Sequence, residues 1–142
     1  MPEHVETDDA IAACYDVMAE LRPHVTREKF VPLVRSLQAD GFRLVCIRVD
    51  DRVVAVAGYR LSKNLFYGRH LYVDDLVTSD SERSKGYGKE LLAWLRAFAV
   101  ANDCEALHLD SGVQRKRAHQ FYLREGLELS SYHFSERLKP RP

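Results

Sequence analysis

The chain lacks an excess of either charge: Lys plus Arg and Asp plus Glu each number 21, for a formal net charge of zero. Broad nucleic-acid binding normally needs a basic surface, so that class is excluded as the expectation. Cysteine is scarce. Cys14, Cys46 and Cys104 are odd in number and far apart, with no CxxC and no metal-ligand spacing. A disulfide framework is excluded, and free, mostly buried thiols in a reducing compartment are expected. No apolar run approaches the ~20 residues of a membrane span. Residues 1–6 show neither a basic n-region nor an apolar h-region, so no signal peptide is read there. A cytoplasmic protein with no membrane partner fits these absences. The six histidines also lack ligand spacing, and no metal is expected.

What is present is an ordinary globular balance. The 142 residues are 46% hydrophobic and 30% charged, which suits a single domain over 1–142 with a sizeable core. Asp8 and Asp9 precede Ile11, Cys14, Met18 and Leu21 at helical spacing, and Pro23 stops that helix. A second helix follows Thr26, with Phe30, Leu33, Val34 and Leu37 on one face, so two helices occupy about 8–40. From Phe42 the period becomes extended. Residues 43–49 and 52–61 flank Asp50-Asp51 and predict a hairpin. Residues 70–77 predict a third strand, which carries Asp74 and Asp75. A long helix from Lys85 buries Leu91, Leu92, Leu95, Phe98 and Ala99. A strand over 106–111 and a helix over 115–125, closed by Gly126, come next. A final strand over 127–137 and a disordered tail over 139–142 complete the order, with a short first strand around Val5 allowed. The crossover between 70 and 111 implies parallel pairing, and the hairpins imply antiparallel pairing. The fold class is mixed α/β, a mostly antiparallel sheet flanked by helices.

The densest chemistry lies between Leu76 and Asn102. Leu76-Val77-Thr78 runs through Ser79 to Glu82 into Arg83-Ser84-Lys85-Gly86-Tyr87-Gly88-Lys89, where the long helix begins. A helix start leaves backbone N–H groups unpaired and adds roughly half a positive charge. Two glycines let that backbone approach a bulky anion, and Arg83, Lys85 and Lys89 add cations. This pattern predicts an anion site, most simply for phosphate. The dinucleotide fingerprint would need a third glycine where Leu91 stands. The other common phosphate loop would need glycine at Arg83 and Ser or Thr at Glu90. What matches is Arg-x-x-Gly-x-Gly between an acidic strand and a helix.

That pattern resembles the pyrophosphate signature of the GNAT superfamily of acyl-CoA N-acyltransferases. The resemblance extends over residues 42–136. It rests on Asp75-Leu76-Val77-Thr78, on Arg83 to Gly88, and on Ala118-His119-Gln120-Phe121-Tyr122 with Gly126-Leu127, where Leu127 replaces the usual Phe. The resemblance implies acetyl-CoA as donor and a primary amine of a small molecule as acceptor. It implies that backbone groups of Leu76, Val77 and Thr78 meet the pantetheine amides. Residues Arg83, Ser84, Lys85, Gly86, Tyr87, Gly88 and Lys89 would hold the pyrophosphate. Tyr122 matches the tyrosine that commonly protonates the departing thiolate. Arg115 stands where the family often has an Asn that bonds the pantetheine arm, so this contact departs from the pattern, and Arg115 can instead reach a phosphate. A homodimer is common in the family, and nothing in the sequence demands one.

An alkylamine near pKa ~10 is mostly protonated at pH 7, and only its neutral form attacks a thioester. A carboxylate that removes the proton, directly or through water, is needed. Asp74 and Asp75 are the candidates; the resemblance favours Asp75, which aligns better with acidic positions of the family, with Asp74 second and a base elsewhere the third reading. Strand alternation would put the two aspartates on opposite faces. Read from the residues alone, Tyr122 is a core tyrosine with a satisfied hydroxyl; the resemblance makes it the acid. Cys104 has no partner for an acyl-enzyme, so direct transfer in a ternary complex is expected. Residues 21–41, 63–70 and 132–136 would shape the acceptor site. A non-catalytic acyl-CoA sensor and a transferase acting on a protein amine are the competing readings, and retention of Tyr122 with the Asp pair favours an enzyme.

Overall fold

The computed structural model describes residues 1–141; Pro142, the end of the tail read as disordered, lies outside the described residues. The chain forms two compact units, one from Met1 to Leu109 and one from Asp110 onward. The first holds β1 (Pro2–Val5), α1 (Asp8–Ala13), α2 (Tyr15–Leu21), α3 (Arg27–Ala39), β2 (Arg43–Val49), β3 (Arg52–Asn64), β4 (Gly68–Thr78), α4 (Tyr87–Ala101) and β5 (Ala106–Leu109). Its strands form one sheet in the order β1-β2-β3-β4-β5. Neighbours are antiparallel except β4 and β5, which are parallel and joined through α4. The mixed class expected from the sequence is therefore found, and so is the short strand around Val5.

Local chemistry explains the breaks. The Oγ1 of Thr7 accepts the Ala10 N–H at 3.1 Å and caps α1. The helix expected before Pro23 is two helices, because Cys14 ends α1 and opens α2. Asp50 and Asp51 both adopt left-handed φ, 53° and 60°, as a two-residue hairpin turn between β2 and β3 requires. Alternation along the strands gives the sheet two apolar faces. Leu44, Cys46, Val56 and Val77 pack with α1, α2 and α3. Val45, Ala57, Tyr59, Leu71 and Val73 pack with Leu91, Leu95 and Ala99 of α4. Leu91 and Leu95 are fully buried, each worth about 1.5–3 kcal/mol of transfer free energy.

Two irregularities in β4 shape its C-terminal half. Gly58 pairs with Asp75 but Tyr59 pairs with Val73, so Asp74 is an extra residue bulged out of the ladder. The parallel ladder with β5 covers only His70 to Val73, whereas the ladder with β3 continues to Thr78. Within this unit, residues 74–78 thus have a strand partner on one edge only.

The second unit contains α5 (Lys116–Arg124). Its end is the glycine closure expected from the sequence. Gly126 has φ 94°, its N–H bonds the Leu123 carbonyl at 3.1 Å, and the Leu127 N–H reaches the Tyr122 carbonyl at 3.0 Å. The final strand expected over 127–137 is not formed. A strand exists through its ladder, and the alternation changes parity between Leu129 and Tyr132. Leu129, Tyr132 and Phe134 are exposed. Among the described residues, no helix is long and apolar enough to cross a membrane.

Candidate active site

The bulge decides where the two aspartates go. Both carboxylates meet arginines on the sheet face covered by α1 to α3, so the simple alternation expected from the sequence is overturned by the extra residue. Arg60 Nε and Nη2 donate to Asp74 Oδ2 and Oδ1 at 2.9 and 2.8 Å. Arg22, at the end of α2, donates from Nε to Asp75 Oδ1 and from Nη2 to the Asp74 carbonyl, both at 2.8 Å. The Asp75 side chain is 12% exposed and that of Asp74 is 23%. Burial pushes the Asp75 carboxyl above its ordinary value, and the Arg22 guanidinium opposes the shift. A carboxylate so placed is a better proton acceptor than one in water.

Gly58 makes this arrangement possible. A Cβ there would lie 2.4 Å from Phe42 Cζ and 2.7 Å from Asp75 Oδ2. Phe42 is itself buried, so the glycine lets an aromatic ring and a carboxylate approach the same backbone.

After Leu76, Val77 and Thr78, which still pair with β3, the chain leaves the sheet. The Ser79 N–H bonds the Val54 carbonyl at 2.8 Å, and Asp80–Glu82 forms a single 3₁₀ turn. Arg83 pairs with Asp80 at 2.6 Å, and Lys85 with Glu82 at 2.6 Å. Two of the three cations expected to face an anion are therefore already engaged with carboxylates of their own loop. Ser84 has φ 69° and Gly86 has φ 85°. Gly86 is the N-cap of α4 and no side chain caps that end. A Cβ on Gly86 would meet nothing within 4 Å. Open space thus lies against the start of a 15-residue helix whose first N–H groups, at Tyr87, Gly88 and Lys89, have no side-chain cap. An anionic group fits this cradle.

Tyr122 and Arg115 belong to the second unit. Arg115 is the N-cap of α5, and its side chain makes no capping bond. Burial raises the pKa of the Tyr122 phenol, and the Arg115 charge opposes this. The phenol is accordingly protonated at neutral pH, as a proton donor must be. His119 Nε2 lies 2.8 Å from the Gly112 carbonyl, and His133 Nδ1 lies 3.4 Å from Asp110 Oδ1.

Sequence reasoning missed Arg22, Arg60, Gly58 and Glu82. The parity of β3 gave a signal for Arg60, which follows Gly58 by two. Nothing local marks Arg22 as the partner of a residue 53 positions later.

The model of the acetyltransferase (GNAT) family matches residues 10–127. An uncharacterized N-acetyltransferase of Bacillus subtilis, YhdJ, is 34% identical over 125 residues, which cover 87% of this chain and 88% of the relative. An aminoalkylphosphonate N-acetyltransferase of Salmonella typhimurium is 35% identical over 66 residues, 46% of this chain and 43% of that one. Among solved structures, aminoglycoside N-acetyltransferase AAC(6')-Iy in complex with CoA superposes with a TM-score of 0.85 at 13% identity, over 99% of this chain and 96% of that one. At that identity the likeness is one of fold.

Proposed function

Because the chain belongs to the GNAT family of acetyltransferases, we propose that it moves an acetyl group from acetyl-CoA to the primary amine of a small molecule. The observation that carries this reading is the uncapped, glycine-opened start of α4, one short loop after a bulged strand whose residues 74–78 have, within the first unit, a strand partner on one edge only. The match to an aminoalkylphosphonate transferase supports a small acceptor. The family match crosses the boundary at residue 109, which supports one domain acting as a whole. Three free thiols support a reducing, cytoplasmic setting.

The backbone of Leu76, Val77 and Thr78 offers its open edge to the amides of the pantetheine arm. Residues 83–89 hold the pyrophosphate through backbone N–H groups at the start of α4, and Arg115 adds a cation. When bound, acetyl-CoA supplies an activated thioester. Asp75, whose Oδ1 is held by Arg22, takes the ammonium proton of the acceptor at Oδ2, directly or through a water, with Asp74 as the alternative. A C–N bond then forms and the C–S bond breaks. Tyr122 gives its phenolic proton to the departing sulfur; of the two protons the ammonium nitrogen loses, one passes through Asp75 to solvent and the other restores the phenol, so the net products are amide, thiol and one released proton. Transfer is direct, in a ternary complex.

The test is kinetic. Tyr122→Phe and Asp75→Asn should each lower kcat by about 10²–10⁴-fold while the Kd for acetyl-CoA, read by calorimetry, stays within threefold. A variant that keeps full kcat loses its assigned role.

A further inference from the structure

Glu82 is a second shielded acid of the first unit, beside Asp75. Its side chain is 9% exposed, and it closes the 3₁₀ turn that leads to the α4 cradle. A carboxylate shielded from water is costly unless both oxygens are satisfied. Here each oxygen has its own cation. Arg52 Nη2, at the start of β3, donates to Oε1, and Lys85 Nζ donates to Oε2, both at 2.6 Å. The Lys85 ammonium and then the Arg52 guanidinium hold the Glu82 carboxyl below its ordinary value, so it is ionised at neutral pH. The partners are themselves more than half exposed. Two flexible surface cations are thus tied to one fixed point, and the loop is tied to the sheet.

A carboxylate in this place has two opposite effects on an anionic ligand. Its charge cancels one of the loop's cations, which weakens attraction for a phosphate. Its two bonds hold Lys85 next to Gly86 and pin residues 79–86 to β3, which removes the ordering cost that binding would otherwise carry. The loop contains Ser84 and Gly86 in left-handed conformations, so its backbone is the part that most needs holding. Which effect is larger sets the sign of the change in CoA affinity when Glu82 is neutralised.

We propose that Glu82 is a positioning residue for the phosphate-bearing end of acetyl-CoA, acting through Arg52 and Lys85 to order the loop before the ligand arrives. This rests on the reading of residues 83–89 as the CoA pyrophosphate site. The experiment compares wild type with Glu82→Gln, using acetyl-CoA and S-acetylpantetheine, which lacks the phosphates. Glu82→Gln should raise the Kd for CoA about tenfold at 0.15 M salt. It should also lower the ratio of kcat/KM for acetyl-CoA to that for S-acetylpantetheine about tenfold. Glu82→Asp, which keeps the charge on a shorter arm, should fall between the two, and it answers the question if Glu82→Gln does not fold. Unchanged or tighter CoA binding would show that charge cancellation dominates and would overturn the proposal. An equal loss with both donors would overturn it too, since the damage would then not concern the phosphates. If wild type does not bind CoA, the pyrophosphate reading fails and the proposal fails with it.

Discussion

Gly58→Ala tests the geometry of the bulge from both sides. The new Cβ would fall 2.4 and 2.6 Å from Phe42 Cζ and Cε1, and 2.7 Å from Asp75 Oδ2. Phe42 is 5% exposed and has little room to retreat. Forcing a methyl into a packed site of this kind costs about 1–3 kcal/mol, and the contact on two sides argues for about 2. For a chain of this length that corresponds to a fall in Tm of about 6–8 °C. Asp75 must also shift by roughly 0.7 Å to restore ordinary van der Waals contact, and if it is the base proposed above, a misplacement of that size costs about tenfold or more in kcat. Thermal melting and steady-state turnover read the two effects. Adding Phe42→Leu removes the ring atoms nearest the new methyl but leaves Asp75 displaced. The double variant should therefore recover about 1 kcal/mol relative to additivity while kcat stays low. A Gly58→Ala protein that melts within 2 °C of wild type (~0.6 kcal/mol) and turns over normally would show that the site accommodates the methyl and that Gly58 does not set the place of Asp75.

The carboxylate and the loop beside it each yield a further prediction. Burial holds Asp75 above its ordinary 3.8, so its own share of folding stability is full below that value and is lost as the pH rises through the folded value. The stability difference between Asp75→Asn and wild type, taken from urea midpoints at pH 4 and pH 7, should therefore move toward the variant at pH 7. Movement toward wild type would contradict the shift. Ser84 is an exposed, non-glycine residue at φ 69°. Left-handed backbone costs it about 1–2 kcal/mol, and glycine returns roughly 0.5–1 of that through unfolded-chain entropy. Ser84→Gly should stabilise by about 0.5–1 kcal/mol in chemical denaturation, and a destabilised variant would show that the serine side chain makes a contact worth more than the strain.

The parts of the site that depend on neighbours in sequence were legible in it. Arg83 to Lys89 announce a glycine-opened helix start, and the structure puts Gly86 at that cap with no side chain over it. Gly126 announces the end of α5, and both closing bonds are present. What depends on contacts across the fold was not legible. The bulge at Asp74 is set where Gly58, Phe42 and Asp75 converge, three residues with no local pattern between them. Because the bulge is invisible in the sequence, the two aspartates read as pointing to opposite faces, and their arginine partners went unnoticed. Lys85 read as uncommitted because Glu82, in sequence one more polar loop residue, gives no sign of being buried between Arg52 and Lys85, and Arg83 is engaged by Asp80. The last strand fails for a related reason: apolar residues at 127, 129, 132 and 134 suggest a strand, but pairing makes one.

The most direct test of the central claim is a thiol-release assay of the wild-type protein with acetyl-CoA against a panel of small primary amines, including aminoalkylphosphonates, with peptides as a second panel. Mass spectrometry of the acceptor would confirm the product. The expected result is stoichiometric release of CoA thiol and one added acetyl group on at least one small amine, with no transfer to peptides. Tight CoA binding with no transfer to any amine, or transfer to peptides alone, would contradict it.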